Sequence, residues 1–379
     1  MVRQKAMGKR LLFVVNDAGF FLSHRWPLAQ AAQAAGWQVA VATPPDAAQA
    51  QIAAAGFECF AFPLERFSLN PFKELKSVWR LWRTMRAFKP DVVHSVTLRA
   101  VLPAAIAARL ALVPAQVFAV TGGGTLFTKQ GRVGARLRWV LTLVLRSLAN
   151  RRTRLIVQNP ENREVLAPTG KWREKCVLIR GSGVDLTTYR VEPEGKMPAS
   201  VLLASRLIKK KGIPEFVEAA RILKAAGTRV RFLLAGDPDP GNPDSVTHDE
   251  LERWQKEGLV AWLGKRTNMA QVIAESHIVC LPSAYGEGVP KVLLEAAASG
   301  RPMVATDIAG CREVVIEGKT GHLVPPRDAA ALAQAIGSLV ADKKKRQAYG
   351  AAARQLAERE FGIDRVNAAT LAVYRDLLR

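Results

Sequence analysis

The 379-residue sequence is poor in acidic side chains: 33 Asp and Glu stand against 55 Lys and Arg, which gives a formal net charge of +22. From Val92 to Pro160 there is no Asp or Glu at all. This imbalance predicts an anionic partner, and nucleic acid, an acidic membrane surface or a phosphorylated substrate could each be that partner. The charge alone leaves these three alternatives open.

Cysteine and long apolar runs are also scarce. The 4 cysteines lack the paired spacing of a disulfide framework or a metal site, which indicates free thiols in a reducing compartment. No window approaches the ~20 apolar residues of a membrane span. The apolar run after the basic N-terminus stops at Asn16 and Asp17, too short for a signal peptide. We therefore expect a cytosolic protein, bound at most to a membrane surface.

Short apolar runs alternate with segments of helical period along the whole chain. The following runs are typical of strands: 11–16, 38–43, 91–96, 115–121, 154–159, 199–205, 230–236, 259–264, 277–283, 301–306 and 321–326. Such alternation predicts parallel sheets that are covered by helices on both faces. The length suits two domains of ordinary size.

A polar stretch at 181–198, GSGVDLTTYRVEPEGKMP, interrupts the alternation and predicts the link between the domains. We expect an N-terminal domain at 1–185, a C-terminal domain at 186–362 and a last helix at 363–379 that crosses back. The fold class is α/β, with two facing doubly wound domains. Ligands of such sheets bind beyond the carboxyl ends of the strands, which predicts a cleft between the domains.

Two cations follow the first strand of the second half. In ASRLIKKKGIPEF the strand ends at Ser205, Arg206 comes next, and Lys211 precedes a helix in which Pro214 suits the first turn. The guanidinium fork of arginine and the point charge of lysine suit a diphosphate. A solvated run of lysines is the alternative interpretation.

The stretch YGEGVPKVLLEAAASGRPMVAT (285–306) carries two glutamates separated by seven residues. We expect Glu287 at the N-terminus of a helix, whose free N–H groups and dipole favour an anion. Glu295 would then lie roughly 10–12 Å deeper. That span suits a nucleotide sugar, with one carboxylate for the sugar and one for the ribose. The alternative is a helix-end acid and an ordinary surface residue.

These motifs together resemble glycosyltransferase family 4, whose members are retaining enzymes of the GT-B fold. The resemblance rests on the two spaced glutamates, on SRLIKKKG upstream, and on the segments GSGVDLTTYR and GCREVVIEGKTGHLVPPRD. It covers nearly the whole chain and is densest over 176–330. The fold that the resemblance implies is two facing Rossmann-like domains.

The resemblance implies catalytic and donor-binding roles for four side chains. Arg206 and Lys211 hold the donor diphosphate, Glu287 contacts the donor sugar and Glu295 holds the ribose. Fixed cations and a helix dipole stabilise the leaving diphosphate, so neither a metal ion nor another cofactor is expected beyond the UDP-sugar co-substrate. Retention in this family is ascribed to attack on the same face as the leaving group, with the departing phosphate helping to deprotonate the acceptor.

The resemblance also implies roles for backbone groups. Backbone N–H groups near Gly288 and Val289 help to bind the donor sugar. Gly264 and Arg266, in LGKRTNM, occupy the segment whose backbone usually reads the base.

One loop departs from the family pattern. Many members have His-Gly after the strand that matches VFAVT, whereas this chain has TGGG, in which Gly122 and Gly123 could let the backbone approach the acceptor or the sugar. His24, after the first strand, is the candidate to replace the missing catalytic histidine, and a helix-start residue is the alternative. His94 lies inside an apolar strand and is interpreted as a core histidine.

Two basic helices carry much of the charge. The first (72–90) has an apolar stripe at Leu75, Val78, Trp79, Trp82 and Met85. The second (132–154) has a stripe at Leu137, Val140, Leu141, Val144, Leu145 and Leu148. Lysines and arginines adjoin both stripes, a pattern that suits an anionic membrane surface. Helices packed on the sheet with solvated arginines are the alternative.

The pattern as a whole is most similar to the branch that builds bacterial capsule, O-antigen and related glycans. This implies a UDP-hexose or UDP-N-acetylhexosamine donor and an acceptor sugar on a polyprenyl diphosphate, at the inner face of the cell membrane. Two alternatives remain. One is another GT-B enzyme, such as a nucleotide-sugar epimerase or a sugar phosphorylase. The other is a nucleic-acid-binding protein, which only the charge suggests and for which no recognition motif is found.

Overall fold

The computed structural model of the protein describes residues 8–64, 70–122, 131–284 and 286–379. The chain forms two compact units: unit 1 comprises Met1–Ser182 and Asp364–Arg379, and unit 2 comprises Gly183–Ile363. Each unit contains one parallel sheet with helices on both faces. The predicted α/β class is therefore confirmed.

Unit 1 is built on a seven-stranded sheet in the order β3-β2-β1-β4-β5-β6-β7. Its strands are β1 (Arg10–Val15), β2 (Gln38–Thr43), β3 (Glu58–Ala61), β4 (Val92–Val96), β5 (Ala115–Val120), β6 (Thr153–Val157) and β7 (Cys176–Leu178). The strands β3 and β7 were not predicted from the sequence; both are short and lie at the two edges of the sheet. Edge strands are only partly buried, so they lack the continuous apolar run that marks the central strands.

The helices of unit 1 cover both faces of this sheet. They are α1 (Ala18–His24), α2 (Trp26–Ala34), α3 (Ala47–Ala54), α4 (Pro71–Phe88), α5 (Leu98–Leu110), α6 (Gly131–Leu148), α7 (Pro160–Leu166) and α8 (Gly170–Glu174). Helices α1, α2 and α3 share a core with one face of the sheet, and α4 and α5 share a core with the other.

The last helix of the chain belongs to unit 1, on the same face as α1 and α2. Within it, Tyr374 is fully buried and makes a hydrogen bond to Nδ1 of His94. Burial lowers the pKa of His94 well below its ordinary value, with the Arg25 guanidinium adding to the effect. The interpretation of His94 as a core histidine is confirmed.

Unit 2 is built on a six-stranded sheet in the order β10-β9-β8-β11-β12-β13. Its strands are β8 (Ala199–Ala204), β9 (Val230–Ala235), β10 (Ala261–Gly264), β11 (Ile278–Leu281), β12 (Met303–Thr306) and β13 (Gly321–Val324). Each of the six coincides with a run that the sequence predicted. Its helices are α9 (Ile213–Ala225), α10 (His248–Lys256), α11 (Met269–Ala274), α12 (Lys291–Ala298), α13 (Ala309–Arg312), α14 (Ala329–Ala341) and α15 (Lys343–Leu356). The last helix of the chain, described above with unit 1, is α16 (Ile363–Leu377).

Three arginines fasten the polar segment after Gly183 to the body of unit 2. Arg301 donates to the carbonyl of Glu192 at 2.7 Å, and Arg354 donates to the carbonyl of Tyr189 at 2.8 Å. Arg346, which is 2% exposed, forms two parallel bonds with the carboxylate of Glu194 at 2.9 and 3.0 Å. The segment is therefore a packed part of unit 2.

The buried Arg346–Glu194 pair generates a stability prediction. Arg346→Met should lower the free energy of unfolding by about 3 kcal/mol, because it leaves Glu194 without its partner. We expect the thermal midpoint of the unit to fall by about 10 °C in differential scanning fluorimetry. The matched control is Lys344→Met on the same helix, where the side chain is exposed and little change is expected.

The effect should also depend on pH. Burial opposes ionisation of Glu194, but its hydrogen bonds and charge attraction to Arg346, together with smaller contributions from His277 and Arg301, outweigh this and lower the pKa of the carboxyl. The stabilisation is therefore present above the ordinary glutamate pKa of about 4.3 and is lost as the pH falls through the lower folded value. The difference between wild type and Arg346→Met should shrink below about pH 4. An equal difference at pH 3 and pH 7 would contradict this account.

Candidate active site

The strand order of unit 2 reverses between β8 and β11, which are neighbours in the sheet. In an open α/β sheet, ligands bind at such a switch point, beyond the carboxyl ends of the strands. The two segments that follow these strands are 205–212 and 282–290. They contain both predicted cations and the first of the two glutamates.

The two segments touch through their backbones. The N–H of Ala284 donates to the carbonyl of Lys210 at 3.0 Å. Gly212 has φ +80°, and a Cβ there would lie 2.0 Å from the carbonyl oxygen of Pro282. Only glycine fits a position with both constraints. Gly212 also caps α9, so the helix starts where the two loops meet.

This approach brings Lys211 and Glu287 together. The Lys211 ammonium donates to Oε1 of Glu287 at 2.5 Å, and the Ser283 hydroxyl donates to the same oxygen at 2.8 Å. The lysine and glutamate side chains are only 15% and 12% exposed, so solvent and salt screen the pair weakly. We call Lys211, Ser283 and Glu287 the switch-point cluster.

Arg206 lies on the same loop as Lys211, and its side chain is half exposed. Its guanidinium forms an ion pair with Asp239 at 2.9 Å. The two neighbouring lysines, Lys209 and Lys210, pair with Glu250 and Asp244. The side chains of Lys209 and Lys210 remain 49% and 42% exposed, as a solvated run implies, whereas Lys211 is only 15% exposed.

Helix α12 begins beside the switch-point cluster. Its N-cap is Pro290, which has no side chain able to accept a hydrogen bond from the first turn. Gly288 and Val289 immediately precede it and are buried. A Cβ on Gly310, in the short helix α13 after β12, would lie 1.4 Å from the carbonyl oxygen of Gly288, so α13 packs directly against this loop.

Glu295 lies in the second turn of α12 and is only 7% exposed. The alternative interpretation as an ordinary surface residue is therefore wrong. The Tyr189 hydroxyl donates to its Oε1 at 2.9 Å, and the Lys291 ammonium is 3.4 Å from the same oxygen. Burial raises the pKa of Glu295, while Lys291 and Tyr189 act in the opposite direction.

The predicted base-reading residues lie at the end of β10. Gly264 has φ +65° beside an irregularity in the pairing of β9 and β10, and its carbonyl accepts from the N–H of Gly236 at 2.9 Å. The exposed Arg266 donates to Oδ1 of Asn268 at 3.2 Å. Because all strands of this sheet are parallel, both residues lie along the same edge as the switch-point cluster.

In unit 1, His24 is the last residue of α1, so the alternative of a helix-start residue is wrong. Its ring stacks on Phe20 with centroids 4.2 Å apart, and Nδ1 lies 2.7 Å from the Ser23 hydroxyl. Gly122 follows β5 and is half-buried. Gly123 lies outside the described residues.

Two polar side chains of the site were missed by the sequence analysis. Ser283 carries a weak signal, because it follows a strand at the switch point. Tyr189 carries none, because its contact with Glu295 joins residues 106 positions apart. Where the structure describes the chain, no group of three or more His, Cys, Asp or Glu side chains could hold a metal ion.

The basic helices of unit 1 expose more apolar surface than their sequence pattern predicts. On α4, Val78 and Met85 are buried as expected, but Leu75 and Trp79 are 67% and 45% exposed, beside Phe72 at 80%. The predicted stripe therefore splits between two faces. The Arg83 guanidinium lies 4.9 Å from the centre of the exposed Trp79 ring.

Helix α6 departs further from its predicted stripe. Of that stripe only Leu145 is fully buried, while Leu137, Val140 and Val144 are 38–44% exposed. Trp139, at 62%, adds to the exposed side. We call the exposed residues of α4 and α6 the outer basic face. In the described ranges, no helix combines the length and the apolar content that crossing a membrane requires.

Comparison with known proteins identifies the family. The family described as "Glycosyl transferase 4-like domain" matches residues 24–181, and "Glycosyl transferases group 1" matches residues 198–342. Together these matches take in most of both units.

Individual relatives and structures agree with this assignment. The chain is 28% identical over 346 residues to N,N'-diacetylbacillosaminyl-diphospho-undecaprenol alpha-1,3-N-acetylgalactosaminyltransferase of Campylobacter jejuni, covering 88% of this chain and 90% of that one. It is 35% identical over 169 residues to the putative colanic acid biosynthesis glycosyltransferase WcaL of Salmonella typhimurium, covering 42% and 41% of the two chains.

Among solved structures, Anabaena Alr3699/HepE in complex with UDP and glucose superposes with a TM-score of 0.75 at 22% identity. The superposition covers 96% of this chain and 99% of that one. The chain therefore belongs to glycosyltransferase family 4 and is a glycosyltransferase of the GT-B fold.

Proposed function

We propose that the protein transfers a hexose or N-acetylhexosamine, with retention, from a UDP-sugar to a sugar on a polyprenyl diphosphate in cell-envelope polysaccharide synthesis. The observation that carries the proposal is the switch-point cluster, in which Lys211 and Glu287 meet beside the N-terminus of α12. The name of the Campylobacter relative supports the lipid-linked acceptor, and the Anabaena complex with UDP and glucose supports the donor.

The cluster supplies opposite charges that suit the two parts of such a donor. Lys211 pairs with Glu287, and Arg206 pairs with Asp239. The donor diphosphate competes for both cations, and Glu287 then accepts hydrogen bonds from the sugar hydroxyls. The N–H groups that begin α12 add positive potential where the phosphates would lie.

The chemical step follows from this placement of charge. The acceptor hydroxyl oxygen bonds to the anomeric carbon as the bond to the β-phosphate oxygen breaks on the same face. The hydroxyl proton passes to the departing diphosphate, whose developing charge Lys211 and Arg206 stabilise. In this proposal the fixed cations supply the charge, so activity should persist in the presence of EDTA.

The proposal includes association with the inner face of the cell membrane. The outer basic face combines exposed Trp and Leu side chains with Lys and Arg, a pattern that binds anionic lipid surfaces. It lies on unit 1, to which we also assign acceptor binding, with His24 and the TGGG loop as the candidate contacts.

The direct test uses purified protein, a panel of UDP-sugars and a polyprenyl-diphosphate-linked sugar, with mass detection of the lipid product. UDP release that depends on the lipid acceptor is expected for one donor. An epimerase would alter the sugar without the acceptor, and a phosphorylase would require inorganic phosphate. Either result would replace the proposed function.

Removing the Lys211 ammonium tests the role of the switch-point cluster. Lys211→Ala should reduce kcat by about 10²–10³-fold, because the cation meets charge that develops on the leaving group. The matched control is the adjacent Lys210→Ala, whose ammonium pairs with Asp244 instead. Steady-state release of UDP measures both variants, and an unchanged kcat for Lys211→Ala would remove this role.

Membrane binding is tested on the exposed row of α6. The double variant Leu137→Gln, Val140→Gln should weaken sedimentation with liposomes that contain phosphatidylglycerol by about tenfold or more, because two apolar side chains no longer enter the lipid. Ile222→Gln replaces an exposed apolar residue of unit 2 and is the control. Liposome binding that is unchanged in the double variant and also unchanged by added salt would contradict the assignment of this face.

A further inference from the structure

Glu295 is held by a side chain from outside its own helix. Tyr189 belongs to the polar segment that opens unit 2, and its hydroxyl donates to Oε1 of Glu295 at 2.9 Å. The Lys291 ammonium, one helical turn earlier on α12, approaches the same oxygen at 3.4 Å. Among the residues that the structure describes, no donor contacts the other oxygen, Oε2.

The backbone around Tyr189 is fixed independently of this contact. Its N–H donates to the carbonyl of Asp185 at 2.9 Å. The Arg354 guanidinium donates both to the carbonyl of Tyr189, at 2.8 Å, and to the carbonyl of Ala298, at 2.6 Å. Ala298 is the last residue of α12, so one arginine ties the tyrosine to the helix that carries Glu295.

We propose that Tyr189 is a positioning residue for donor binding: its hydroxyl holds Oε1 of Glu295 so that Oε2 accepts hydrogen bonds from the ribose hydroxyls of UDP. This inference rests on the proposed function, and it takes from the family resemblance the expectation that Glu295 holds the ribose. A carboxylate that is 7% exposed can turn about its last torsion unless one oxygen is anchored. The phenol supplies that anchor, since burial raises the pKa of Tyr189 and keeps it protonated as a donor.

A phenylalanine at position 189 would fill the same space without this bond. The hydroxyl is therefore the part of the side chain whose role can be separated from packing. Tyr189→Phe removes one hydrogen bond to a charged group and leaves the ring and the Arg354 contact to the backbone in place.

The pH dependence of binding gives a second readout. The charged and titratable groups around the Glu295 carboxylate are Tyr189 and Lys291, with Asp185 acting on the tyrosine. The ribose hydroxyls donate to the ionised carboxylate, so UDP binding weakens as the pH falls through the pKa of Glu295. Without the Tyr189 hydroxyl that pKa rises further, and the loss of binding should move to higher pH.

The experiment is calorimetric titration of the full-length protein with UDP between pH 5 and pH 8. Tyr189→Phe should raise the Kd for UDP about tenfold at neutral pH. It should also move the loss of UDP binding in acid to higher pH. Titration with 2′,3′-dideoxyuridine diphosphate should show equal affinity for wild type and variant, because the groups that Glu295 binds are missing. Tyr349→Phe is the matched control, since this tyrosine of unit 2 contacts His322 instead.

Two results would overturn the inference. The first is an unchanged Kd and pH profile for UDP in Tyr189→Phe. The second is an equal loss of affinity for UDP and for the dideoxy nucleotide, which would indicate a structural role. Failure of the wild type to bind UDP is a distinct result, because it would overturn the donor assignment itself.

Discussion

The site of unit 2 depends on the close approach of two loops at the strand-order reversal. Gly212 meets the carbonyl of Pro282 at a distance that leaves no room for a side chain. This contact places Lys211 within hydrogen-bond distance of Glu287, although 76 positions separate them in the chain. Neither the charge of Lys211 nor the acidity of Glu287 would define a site if the loops stood a few ångströms apart. The backbone geometry of the two loops therefore determines whether these side chains form a site.

The sequence predicts most of this framework because the signals are local. Every strand of unit 2 is a short apolar run that ends before polar residues, so the runs and the loops that follow them could be located in advance. The switch-point position of Lys211 and Glu287 follows from parallel topology, which brings carboxyl ends to one edge. The edge strands β3 and β7 were not predicted, because partial burial weakens their apolar pattern.

What the sequence could not predict depends on contacts between distant segments. A helical period shows which residues share a face, but not whether anything covers that face. On α6 the periodic row is continuous, yet Leu145 is buried while Val140 and Val144 are exposed, because only part of the helix packs on the sheet. The burial of Glu295 has the same origin: it depends on Tyr189, which no local pattern connects to it.

The excess of positive charge is arranged differently in the two units. At the candidate active site of unit 2, Arg206 and the three lysines that follow are each paired with a carboxylate, so the cations are held in place and their field is largely balanced. An anionic ligand there must compete with carboxylates that are already bound, which favours a ligand with several charges over a single one. Helix α6 lies within a stretch of unit 1 that has no acidic residue at all, so its arginines gain no balancing carboxylate from their own segment. Such a surface attracts anions over a longer range and with less geometric selection, which is what the proposed binding to a lipid surface would require.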